Sequence, residues 1–106
     1  MGLRVEVGGA RDALRGRAGD GRITWVNNAY AAAVEASGEA EVRDRQIELL
    51  ESRQRKVIDK SLKKGKAYSE RVPLIVGGER KSHDVIVLSL GDATAGAAID
   101  VAAIEK

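Results

Sequence analysis

Two glycine-centred breaks, Gly77-Gly78 and Gly91-Asp92, divide the C-terminal part of the chain into three extended segments, Ala67 to Val76, Arg80 to Leu90 and Thr94 to Val101. This punctuation constrains the fold more than any other feature. Connections this short cannot carry a crossover helix, so the three segments form an antiparallel meander. Near the start, Ala13 to Ala18 and Arg22 to Val26 flank Gly19-Asp20-Gly21, a second hairpin signal in which glycine accepts positive φ. Helical signals lie between the two strand groups. Asn27 and Asn28 precede Ala29-Tyr30-Ala31-Ala32-Ala33-Val34-Glu35, where an asparagine side chain can cap a helix that Ser37-Gly38 stops. A polar, acidic stretch follows through Arg45. From Ser52 to Lys64, the spacing of Leu50, Val57, Ile58 and Leu62 gives one apolar stripe, with Lys60, Lys63 and Lys64 in the last turn and Gly65 at the C-terminal cap. The expected architecture is α+β: a single antiparallel five-stranded sheet with helices packed on one face.

At 106 residues the chain suits one domain. Residues 1–12, where Val5 and Val7 alternate with Arg4 and Glu6, read as an arm or short strand; 13–102 form the domain, and 103–106 begin a helix or linker. The absence of cysteine excludes disulfides, thiolate zinc sites, iron–sulfur clusters and a cysteine nucleophile. A single histidine, His83, excludes a two-histidine metal site. No apolar run is long enough for a membrane span and no signal peptide is visible, so a cytoplasmic domain is expected. Eighteen basic and sixteen acidic residues give a net charge of +2, too small to imply nucleic acid or an anionic membrane.

The run Asp20-Gly21-Arg22-Ile23-Thr24-Trp25-Val26-Asn27-Asn28-Ala29-Tyr30 resembles the motif that joins the second strand to the first helix in the PAS domain family. Glu48-Leu49-Leu50 is similar to that family's helical turn before the long connecting helix. Gly65-Lys66-Ala67-Tyr68, Gly78-Glu79-Arg80 and Ala95-Gly96-Ala97-Ala98-Ile99-Asp100-Val101 resemble the start of its third strand, its next hairpin and its last strand. The resemblance covers Ala13 to Lys106 and implies a PAS-like fold. It also implies a noncatalytic sensory, dimerisation and protein-interaction module, cut from a larger bacterial signalling protein, above all a two-component sensor histidine kinase. Asp100 and Glu105 would relay the signal to an output helix. Ala102 stands where the family's closing signature has threonine, and the Ser37 to Gln46 region is short and polar. No cofactor is implied: the cysteine that attaches flavin and the helical histidine that ligates haem are both missing.

His83 lies within Ser82-His83-Asp84, but neighbours on a strand point to opposite faces, so these three cannot form a triad, and His83 reads as a partly exposed strand residue. Gly16, Gly19 and Gly21 open a strand rather than a helix, which argues for a turn and against a phosphate loop. Seven basic residues between Arg53 and Lys66 face six acidic ones between Glu35 and Glu51. That helix face is either solvated or a docking surface for an acidic partner or a second copy. It lacks the interleaved aromatics of single-strand nucleic-acid binders.

Val85, Ile86, Val87 and Leu88, with Ile99 and Val101, put apolar groups on both faces of the sheet, so its outer face calls for a cover, as in a homodimer or a partner complex. The small residues Ala95 to Ala98 permit either a cavity or close packing, and the lack of identifiable orienting groups favours packing. The alternative reading is a ligand-binding domain or small enzyme with an apolar pocket lined by Trp25, Val57, Ile58 and Leu62. Asn27 is expected to act as a structural cap, worth about 1 kcal/mol.

Overall fold

The computed structural model describes residues 12–101; residues 1–11 of the expected arm over 1–12, and Ala102 to Lys106 with Glu105 among them, lie outside the described residues. Strands β1 (Ala13–Arg17) and β2 (Ile23–Val26) form the first hairpin. Three helices follow: α1 (Asn28–Ala33), α2 (Glu39–Arg45) and α3 (Ser52–Lys63). Strands β3 (Tyr68–Val76), β4 (Glu79–Leu90) and β5 (Ala93–Asp100) complete the chain. All pairings are antiparallel, and the spatial order is β2-β1-β5-β4-β3. The fold class is therefore the expected one, a single five-stranded antiparallel sheet with three helices.

Local chemistry accounts for most of the boundaries. The first hairpin turns at Gly21, whose φ of 90° suits glycine, while the Asp20 carboxylate accepts from the Arg22 amide. Asn27 caps α1 as expected, its Oδ1 accepting from the Tyr30 amide at 2.9 Å. That helix ends before Ser37-Gly38: Glu35 takes a left-handed φ of 59° and the Ala36 amide reaches back to the Ala31 carbonyl, a Schellman closure. A capping box between Glu51 and Gln54 starts α3, which ends before Gly65 at φ 79°. Pro73, which has no amide proton, lies on the edge strand β3.

The polar, acidic stretch before Arg45, to which the sequence reading assigns no element, is helical. Helix α2 has one fully buried residue, Val42, and no side-chain cap on Gly38. Its support comes from acidic residues in the first turn, basic ones in the last, and i,i+4 pairs Glu39–Arg43 and Glu41–Arg45. It also seals an edge. Gln46, at the end of α2, accepts from the Ile23 amide and donates to the Ile23 carbonyl, while Glu39 accepts from the Val26 amide. The outer side of β2 is thereby denied to other strands.

Alternation gives the sheet two unlike faces. Ala13, Arg15 and Arg17, Thr94, Gly96 and Ala98, and His83, Val85 and Val87 share the face toward the helices. Ile23, Val26, Tyr30, Val42, Ile58 and Leu74 close the core against it. Each of the fully buried Ile23, Val42 and Val87 contributes about 1.5–3 kcal/mol through burial.

Candidate functional site

The chemistry gathers around β1, because its register with β5 turns two arginines inward. Arg15 sits opposite Gly96 and Arg17 opposite Thr94. Arg15 is only 8% exposed, and a Cβ added at Gly96 would stand 3.2 Å from its guanidinium carbon, so glycine is what lets the side chain lie along β5. Its Nη1 donates to Thr94 Oγ1 at 3.1 Å. Burial is the main reason its pKa falls to about 10, with repulsion from Arg17 adding to it. The group remains a cation at neutral pH.

Arg17 has an acidic partner where Arg15 has none among the described residues. Both of its terminal nitrogens donate to the Glu48 carboxylate, one at 3.1 Å, and it also donates to the Gly21 carbonyl. Arg55 on α3 approaches Glu48 at 3.7 Å. The Tyr30 hydroxyl donates to the Ile47 carbonyl at 2.8 Å and accepts from the Leu49 amide at 3.0 Å, which fixes the segment carrying Glu48. Burial raises the Tyr30 pKa.

These groups border two spaces. A small inner cavity of about 20 Å³ lies among Ala13, Leu49, Leu50, Val85, Val87 and Ala98, with Arg15, Arg17, Tyr30 and Glu48 at its polar end. A cleft of about 190 Å³ opens between β1 and α3, lined by Arg15, Arg17, Gly21, Arg55, Ile58, Asp59, Leu62 and Thr94. Sequence reasoning missed this cluster and expected no orienting polar groups. The one available signal was two arginines at alternate positions of a short strand.

The four pocket candidates do not converge. Ile58 is buried and Leu62 half-buried beside the cleft, but Val57 is 53% exposed. One helical step carries Val57 about 100° from Ile58, to a groove shared with Tyr68, Val72 and Leu74. Trp25 is further off, on the outer face of the sheet. Its indole lies over Gly16, where an added Cβ would meet Nε1 at 2.2 Å.

The sheet candidates divide by face. Val85 and Val87 are core residues and Val101 is buried just past β5, so these three offer no surface to a partner; Ile86, Leu88 and Ile99 lie on the outer face. There, register aligns Trp25, Gly16, Ala95 and Leu88 in one row across four strands, with Leu14, Ala97 and Ile86 in the next. Trp25 is 44% exposed and Leu88 39%.

No family model matches this chain, and neither does any curated protein or solved structure.

His83 is buried rather than partly exposed, because odd-numbered positions of β4 face the helices. Its Nδ1 lies 3.0 Å from the Lys81 carbonyl. Asp84 points the other way and pairs with Arg71 at 2.8 Å, so the Ser82-His83-Asp84 run does not converge. Asp100 closes β5 opposite His83. On α3, Lys56, Lys60 and Lys63 are exposed and make no ion pair among the described residues. No described helix is long and apolar enough to cross a membrane.

Proposed function

We propose that the domain is a noncatalytic sensory, dimerisation and protein-interaction module of the PAS type that its motifs resemble. It belongs in the cytoplasm, within a larger bacterial signalling protein, above all a two-component sensor histidine kinase. The observation that carries this reading is the paired apolar rows on the outer face of the sheet, Trp25-Gly16-Ala95-Leu88 and Leu14-Ala97-Ile86. A half-solvated antiparallel sheet alternates apolar and polar residues, so two adjacent apolar rows favour a covered face, and a second copy is the simplest cover.

In such a dimer, an input that moves β5 shifts Asp100 and with it the segment that follows. Ligand or partner contact then biases the dimer between two arrangements, provided the input binds them with different affinity. Sedimentation velocity at micromolar concentration is expected to show a dimer. A strict monomer, with the flanking segments of the parent protein also present, would refute dimerisation through the sheet.

A further inference from the structure

We infer that the cleft between β1 and α3 binds the carboxylate of a small organic anion, held by Arg15 with Arg17 and Arg55 beside it. This deepens the sensory reading by naming a ligand class, yet it is independent of dimerisation, because a monomer presents the same cleft.

Arg15 is the central observation. A guanidinium has five N–H donors in a planar fork. Here one hydrogen bond, to Thr94 Oγ1, is made to the described residues, and none of their carboxylates lies within ion-pair distance of it. A buried cation without a counter-charge is costly to the fold. The neighbouring carboxylate cannot serve, since Glu48 is taken by both terminal nitrogens of Arg17 and approached by Arg55. Asp59, exposed at the rim, is the one acid among the residues lining the cleft, so with Glu48 behind Arg17 three guanidiniums stand against two carboxylates.

The lining also selects the kind of anion. Helix α3 presents the flank carrying Arg55, Ile58, Asp59 and Leu62, not its N-terminus, so the helix-end amides that favour phosphate do not point into the cleft. Ile58 and Leu62 supply an apolar wall for an organic body. A planar carboxylate matches the arginine fork. At about 190 Å³ the cleft lies below the range of drug-sized ligand pockets, which limits the anion to a small one.

Calorimetric titration of the chain with sodium benzoate and sodium hexanoate tests the assignment, with benzyl alcohol and inorganic phosphate as contrasting arms. Saturable binding of at least one acid is expected, and none of the alcohol or phosphate. Arg15→Met, which keeps an unbranched apolar stem but removes the guanidinium, should weaken binding by about tenfold or more and raise the Tm of the free domain by removing the uncompensated charge. Should that variant fail to fold, Gly96→Ala serves instead: its Cβ displaces the guanidinium and should weaken binding similarly. In the unmodified chain, the acid should shift the amide resonances of Thr94 and Gly96. Absence of saturable binding by both acids would overturn the proposal. So would equal binding of phosphate, equal binding of benzyl alcohol, or unchanged affinity in folded Arg15→Met.

Discussion

Asn27 links three parts of the chain through one side chain. Its Oδ1 accepts from the amides of Tyr30 and Leu14, and its Nδ2 donates to the Asp12 carbonyl at 2.7 Å. The cap visible in the sequence is thus also a clamp between β1 and α1. Asn27→Ala should cost about 2 kcal/mol rather than the ~1 kcal/mol of a simple cap, because the Leu14 amide also loses its partner. Urea denaturation measures this, and a loss near zero would contradict the clamp. Tyr30→Phe should cost about 1–3 kcal/mol by leaving the Ile47 carbonyl and Leu49 amide unpaired, again read from the urea midpoint. Asn27 and Gly21 were legible because capping and turning depend on adjacent residues. Arg15 and His83 were not: which face a strand residue takes depends on register with distant strands, and local alternation alone would turn Leu14 inward in place of Arg15.

Among the elements, legibility followed the number of independent local signals. Helix α3 announced itself through a stripe, a basic last turn and Gly65, and β3 to β5 through their glycine breaks. Helix α2 has a single apolar anchor, and what it contributes, the side chains of Gln46 and Glu39 on the β2 edge, is a tertiary matter. Between β3 and β4, Arg71 spans the strands to Asp84, and its hydrogen bond holds that carboxyl below the usual range. The Glu41 carboxyl is lowered by the Ser37 amide and by Arg45. A depressed carboxylate pKa stabilises the fold above the unfolded-state value, and this contribution is lost as pH falls through the folded-state value. The urea midpoint should therefore drop between about pH 5 and pH 3. Asp84→Asn should show a smaller drop than the parent chain; an identical one would mean that the Arg71 pair adds nothing to stability.

For the whole molecule, the proposed anion cleft and the proposed dimer surface lie on opposite faces of one sheet, and β5 is common to both. Gly96 supports Arg15 on one side, while Ala95 and Ala97 underlie the apolar rows on the other. Leu88→Lys should abolish the proposed dimer, seen as a fall in sedimentation coefficient, while leaving the thermal midpoint nearly unchanged because the site is exposed. A dimer that persists would place the interface elsewhere. The class of the fold was readable from turn spacing, but the pairing of β1 with β5 was not, since no local signal links Ala13 to Ala98. That pairing also has a consequence during synthesis. Strand β1 is made early yet sits inside the sheet, flanked by β2 and β5. Until β5 leaves the ribosome, β1 has an open side and Arg15 has neither Thr94 nor Gly96 beside it. The nascent domain therefore holds an incomplete sheet until β5 emerges, and that strand commits it to the native state.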